Sequence, residues 1–232
     1  MNTKQAAPVL SWDTEDKLKT YAKVCFAGYP GSGKTRSAIE MAKAFTADEK
    51  IGVVNTEGAS GAKVYKALYP NIKIVTISDY NPVKFIEAIN FVVAAGCEAV
   101  IVDSITDEWQ GTLDWKTELE KTMDTQRAWA KPTAAHDSFM KLLRTIPIHT
   151  FCTVLTKDKV VIDRKNGNKA TRVNGAWIAR QRTDKNFDLV LTMENGGTGT
   201  VYKTHYDPIK IGDVVDRDMA TIAAKIKEFI NA

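Results

Sequence analysis

The chain has 232 residues, of which 44% are hydrophobic and 26% charged, and it carries a net charge of only +4. That is enough chain for one α/β domain with a full core, and the balance is that of an ordinary globular protein rather than a disordered one. No apolar run approaches the roughly 18 residues of a membrane span, and the first twenty residues lack the apolar stretch of a secretory signal, so a cytoplasmic protein with no membrane partner is expected.

Residues 1–20 read as an N-terminal lead-in, with Trp12 as an anchor, and residues 21–232 as a single domain. Tyr21–Ala27 is rich in β formers and predicts a strand, while Lys34–Ala44 predicts a helix. Between them stands Gly28-Tyr29-Pro30-Gly31-Ser32-Gly33-Lys34-Thr35, of the form G-x-x-x-x-G-K-T, followed by Arg36. Glycines let such a loop turn with positive φ and bring its N–H groups against phosphate oxygens. Lys34 sets a cation on the β- and γ-phosphates, Thr35 offers a hydroxyl to Mg²⁺, and the helix N-terminus adds its dipole. A glycine-rich turn with a chance lysine is the bland alternative, and the flanking strand and helix argue against it. ATP and Mg²⁺ are the expected ligands.

Ile51–Asn55 reads as a second buried strand, Ser60–Leu68 as a short helix and Ile72–Ile77 as a third strand. Asn81-Pro82 starts a helix, with Asn as cap and Pro at its first position, which runs to about Ala95 and stops at Gly96. Ala99–Val102 is wholly apolar, as the centre of a parallel sheet covered on both faces must be. Ile105 to about Arg127 predicts one amphipathic helix, Ala134–Arg144 a separate one after Lys131-Pro132, and His149–Leu155 a buried strand. Val160–Asp163 and Lys169–Val173 flank an Asn-Gly turn, and Leu189–Met193 and Thr200–His205 flank the glycine-rich Asn195–Gly199, so two hairpins follow. Met219–Ile230 closes the chain as a helix. Strand–helix alternation followed by hairpins predicts an α/β fold of the P-loop NTPase type, with a mainly parallel central sheet flanked by helices and an antiparallel hairpin extension.

Asp103 follows the apolar strand directly and has the Walker B form, an acid at a strand's carboxyl end beside the phosphate loop, suited to holding the Mg²⁺ shell. Its alternative is an ordinary helix-capping acid. Glu57, just past the second strand, emerges at the same edge and is a candidate to orient the attacking water. Glu108, with Asp107 beside it, competes for that role, and each of these acids could equally be solvated. The cysteines Cys25, Cys97 and Cys152 sit in or beside apolar runs with no close-spaced pair, which points to reduced core thiols and against a zinc site or disulfide frame. His136, His149 and His205 have neither metal nor triad spacing.

The positive charge is local. Lys157 to Arg182 holds eight Lys and Arg against two Asp, so the rest of the chain is net negative. A patch of this kind suits a polyanion. Arg164, Lys165, Lys169, Arg172, Arg180 and Arg182 supply a cationic track, and Trp177 within it a possible stacking platform for single-stranded nucleic acid. A solvated hairpin with a core-packed tryptophan is the alternative. Trp109, Trp115 and Trp129 lie among acids and read as core or subunit contacts.

The order of phosphate loop, strand ending in Asn55-Thr56-Glu57-Gly58, helix, strand, helix, and Val100-Ile101-Val102-Asp103-Ser104 resembles the RecA-type recombinase core. Asp103-Ser104-Ile105-Thr106 with Trp109 and Trp129, and a strand ending Thr156-Lys157-Asp158-Lys159, is similar to short phage-encoded RecA-like ATPases of single-strand annealing and recombination. The resemblance implies that Glu57 is the catalytic glutamate and that Asp103 with Ser104 forms the metal side. It also implies a DNA-stimulated ATPase, single-stranded DNA as partner, a homo-oligomeric ring or filament, a single-strand-binding protein as a further partner, and the cytoplasm of a bacterial host. The family inserts a basic residue from a neighbouring subunit, for which Lys203 is the best-placed candidate beside the reading of a solvated lysine. Thr156 or Lys157 falls nearest the family's γ-phosphate sensor, without its Asn-Gln. A small-molecule or nucleotide kinase and a non-catalytic ATP-binding module are the competing functions.

Overall fold

The computed structural model describes residues 20–163 and 169–231. Among them, nine strands form one sheet: β1 Lys23–Gly28, β2 Ile51–Asn55, β3 Lys73–Thr76, β4 Ala99–Asp103, β5 His149–Asp163, β6 Lys169–Trp177, β7 Leu189–Met193, β8 Gly199–Thr204 and β9 Val214–Val215. The order is β3-β2-β4-β5-β1-β7-β8-β9, with β6 paired to the outer half of β5. The first six strands of that order are parallel, and β8, β9 and β6 join antiparallel. The fold is therefore α/β, as the alternation of elements predicts.

Helices cover both faces: α1 Lys34–Phe45, α2 Gly58–Leu68 and α6 Ala220–Asn231 on one, α3 Pro82–Ala94, α4 Ile105–Leu119 and α5 Thr125–Thr145 on the other. The strands β1, β2 and β4 between them are buried throughout, and successive residues feed alternate layers. Val24 and Phe26 enter the α1–α6 layer and Cys25 and Ala27 the α3–α5 layer, and β4 divides Ala99 and Ile101 from Val100 and Val102 in the same way. All three cysteines are buried and free.

Three boundaries differ from the sequence expectation. The single helix expected from Ile105 to Arg127 breaks at Glu120–Asp124, because the Asp124 side chain accepts the Arg127 N–H at 3.0 Å and so starts α5. Pro132 does not separate two helices but lies buried within α5, where it removes one N–H donor and gains contact with the core. Val160–Asp163 is no separate strand, since β5 runs on from the core into the hairpin. Trp12, Arg164 and Lys165 lie outside the described residues.

Close approach of α3 to β2 depends on Gly52, where an added Cβ would lie 2.3 Å from Val92 Cγ1. Gly52→Ala should lower unfolding stability by about 1–3 kcal/mol through overpacking. Adding Val92→Ala should return part of that loss, a coupling that denaturant unfolding of the double-mutant cycle measures.

Candidate functional site

The phosphate loop joins β1 to α1. Gly31 at φ 79° and Gly33 at φ 86° hold the left-handed conformations that glycine adopts without strain. A Cβ on Gly31 would meet nothing within 4 Å, so the loop leaves an open cradle there. Lys34 Nζ donates to the Tyr29 carbonyl at 2.8 Å, folding its ammonium over the loop. Burial lowers the Lys34 pKa, while Asp103 and then Glu57 oppose that shift.

Asp103 ends β4 almost fully buried. Its Oδ2 accepts the Thr35 hydroxyl at 2.9 Å and lies 3.1 Å from the Tyr65 hydroxyl, and its Oδ1 accepts the Thr153 hydroxyl. Burial pushes this carboxyl above the usual range, with Glu57 adding to the shift and the three hydroxyls countering it. The set is all oxygen, carboxylate plus hydroxyl, which fits a hard cation such as Mg²⁺ that keeps several waters and phosphate oxygens as ligands. Among the described residues no group of three or more His, Cys, Asp or Glu side chains could hold a metal alone. Such an ion would therefore depend on Thr35, Asp103 and a bound phosphate together.

Glu57 stands at the N-cap of α2, exposed at the rim. The turn that presents it is fixed by Asn55, whose amide donates to Gly58 O at 2.8 Å and Thr76 Oγ1 at 3.0 Å while its Oδ1 accepts Glu57 N at 3.2 Å. Gly61 completes the arrangement, because a Cβ there would lie 2.6 Å from Glu57 Cβ. Tyr65 Oη donates to Glu57 Oε2 at 2.8 Å and so bridges Glu57 to Asp103. The rival Glu108 faces inward, fully buried, and its carboxylate lies 2.9 Å from His136 Nδ1. Asp107 does reach the site, where it accepts Thr56 Oγ1 at 2.5 Å and Ser104 Oγ at 2.8 Å.

These groups surround a cavity of about 630 Å³ lined by the loop from Pro30 to Arg36, by Glu57, Tyr65 and Asp103, and by Arg217. Its size suits a nucleotide. From β5 it is Thr153 and Leu155 that line it, not Thr156, which period-2 alternation turns to the opposite face. Sequence reasoning missed Tyr65 and Arg217. The spacing of Tyr65 two turns beyond Glu57 on one helix was a usable signal, whereas nothing local marks Arg217.

Lys203 does not reach the cavity of its own chain. It pairs with Val190 near the start of β7, the end of the sheet away from the phosphate loop, and its Nζ donates to Phe187 O at 2.7 Å and Asp184 O at 3.0 Å. The ammonium thus holds the 183–187 turn within its own chain. The basic run also divides. Lys169 and Arg172 lie on β6, opposite Asp163 and Val160, whereas Arg180 binds Asp137 at 2.6 Å and lines, with Arg182, a cavity against α5. Trp177 is half-buried against the α3–α5 layer, so its ring is not a fully open stacking platform.

Because the Thr35 and Thr153 hydroxyls donate to Asp103, Asp103→Ala should destabilise the protein even without ligand, by about 1–3 kcal/mol for donors that lose their acceptor. Asp103→Asn keeps one oxygen acceptor and should lose less, which thermal unfolding of the two variants compares.

No curated, named protein gives a significant match. A family model described as an AAA domain matches residues 20–209, which takes in the phosphate loop, Glu57, Asp103 and the strands that carry them. The chain belongs to the AAA domain family, a P-loop ATPase-like domain, and the matched residues carry the loop that lines this cavity.

Proposed function

We propose that this protein is a Mg²⁺-dependent ATPase that binds single-stranded DNA and promotes annealing or recombination, its grip on DNA set by the nucleotide. One observation carries the link between the two ligands. Tyr29, inside the phosphate loop, donates its hydroxyl to Asp158 and accepts the Gly175 N–H at 3.0 Å. Asp158 and Gly175 both fall in the irregularity of the β5–β6 hairpin, which carries much of the basic run. The same Tyr29 supplies the carbonyl that holds Lys34. A phosphate that draws Lys34 away frees that carbonyl, and the residue that feels the change also clasps the base of the hairpin.

Within this reading Lys34 and the loop N–H groups bind the phosphates, Thr35 and Asp103 hold the cation, and Glu57 accepts a proton from, or orients, the attacking water. Mg²⁺, when bound, neutralises charge developing on the phosphates. Arg164, Lys165, Lys169 and Arg172 meet the DNA backbone. The RecA-like order of motifs supports DNA as the polyanion and an oligomer as the working form. A kinase would need an acceptor pocket closed by a basic lid, and here Arg180 is engaged by Asp137.

Glu57→Gln should keep ATP affinity and lose at least about a hundredfold in turnover, the usual contribution of a positioned base. Hydrolysis by the wild type should rise with single-stranded DNA. Phosphoryl transfer to a small acceptor, indifferent to DNA, would instead mean a kinase. Arg164→Ala with Lys165→Ala should flatten the salt dependence of DNA binding by about one unit for each lost phosphate contact. Tyr29→Phe should preserve both affinities measured singly and erase the effect of ATP on DNA affinity.

A further inference from the structure

Arg217 enters the nucleotide cavity from the C-terminal segment of the same chain, and two glycines make its approach possible. Gly197, in the β7–β8 turn at φ 88°, has no Cβ, and one added there would lie 2.9 Å from Arg217 Cγ. On its other side Gly197 backs onto the phosphate loop, its Cα lying 3.1 Å from where a Cβ of Gly33 would stand. Loop, turn and arginine stem are thus stacked at backbone distance. The segment is anchored at both ends. Val215 pairs with Gly199 in the sheet, and buried Met219 leads into α6, whose first turn is capped by Asp218 accepting Ala220 N at 3.1 Å. Arg217 makes no ion pair and no hydrogen bond among the described residues, although Asp216 and Asp218 adjoin it.

We propose that Arg217 is a nucleotide-binding residue acting within its own subunit, on the half of the nucleotide that ATP and ADP share. The proposal rests on the nucleotide reading of this cavity. The sheet order supplies the direction. Asp103 and Glu57 follow β4 and β2, on one side of β1, and the β7–β8 turn lies on the other. Thr35 reaches towards Asp103 and so fixes the side of the cation and terminal phosphate. Arg217, on the opposite flank, meets the nucleoside end. A guanidinium there, planar and always charged, binds a phosphate oxygen or lies against a base. Its exposure in a cavity that also holds Lys34 and Arg36 gives the nucleotide a third cation without an unpaired buried charge.

Titration calorimetry with Mg²⁺-ATP and Mg²⁺-ADP tests this on the full chain. Arg217→Ala should raise Kd for both by about tenfold and equally, Arg217→Lys should recover part of the loss, and the loss in hydrolysis should fall in KM rather than kcat. The unfolding temperature without nucleotide should shift little, since the guanidinium has no hydrogen bond or ion pair among the described residues to lose and only the stem's packing on Gly197 is removed. An unchanged Kd in Arg217→Ala, where the wild type binds and Lys34→Ala does not, overturns this inference and leaves the ATPase reading intact. A loss confined to ATP also overturns it, placing Arg217 at the terminal phosphate. Failure of the wild type to bind either nucleotide removes both readings.

Discussion

The Thr35–Asp103 hydrogen bond, 2.9 Å long, joins the first turn of α1, which follows β1, to the tip of β4, a strand that does not neighbour β1. β5 lies between them and fills the gap with Thr153, which binds the other oxygen of the same carboxylate. Groups carried by three adjacent strands, one of them by way of α1, therefore converge on one buried acid. This is possible only because the chain returns from β4 to lay β5 beside β1, which places the phosphate loop and the Walker B acid across a single strand width. Ligands of open parallel sheets sit where the strand order changes direction for this reason. Burial raises the acid's pKa, so the apo site carries an electrostatic cost that a cation held there would offset.

Around that bond the site is shaped as much by missing side chains as by those present. Gly61 lets Glu57 fold over the first turn of α2. Gly33 and Gly197 let a distant turn lie against the phosphate loop. The second contact links segments far apart in the chain at a distance that a Cβ would not permit. The result is a cavity with carboxylates and hydroxyls on one flank and an arginine on the other, matching the polarity of a nucleotide chelating a cation.

The parts legible from sequence were those whose geometry is local. A strand, a glycine loop and a helix in succession specify the phosphate site, and an apolar strand ending in Asp specifies where that acid emerges. β2 and β7 match the expected spans residue for residue. What sequence did not disclose was set by sheet order and packing. The amphipathic period runs through the α4–α5 break, so only the Asp124 cap marks it. Lys23 reads as an ordinary strand residue, yet its Nζ is buried against Ile146 O, Ile148 O and Thr150 Oγ1. Glu108 resembles a water-orienting acid until the helix turns it onto His136. Lys203 and Arg217 are both basic residues of the C-terminal third, and only the register of β8 and the Gly197 stack separate them.

The nucleotide loop and the basic hairpin meet at Tyr29, whose backbone holds Lys34 and whose ring holds the hairpin. In the function proposed above, occupancy of the loop acts on the hairpin through this direct contact, with no relay through the core. A crystal structure with Mg²⁺ and a non-hydrolysable ATP analogue tests the account most directly. The triphosphate should lie along Gly31–Thr35 with its metal between Thr35 and Asp103, and Lys34 Nζ should have left the Tyr29 carbonyl for a phosphate oxygen. A nucleotide bound elsewhere, or one seated there with Lys34 still on Tyr29, would contradict it.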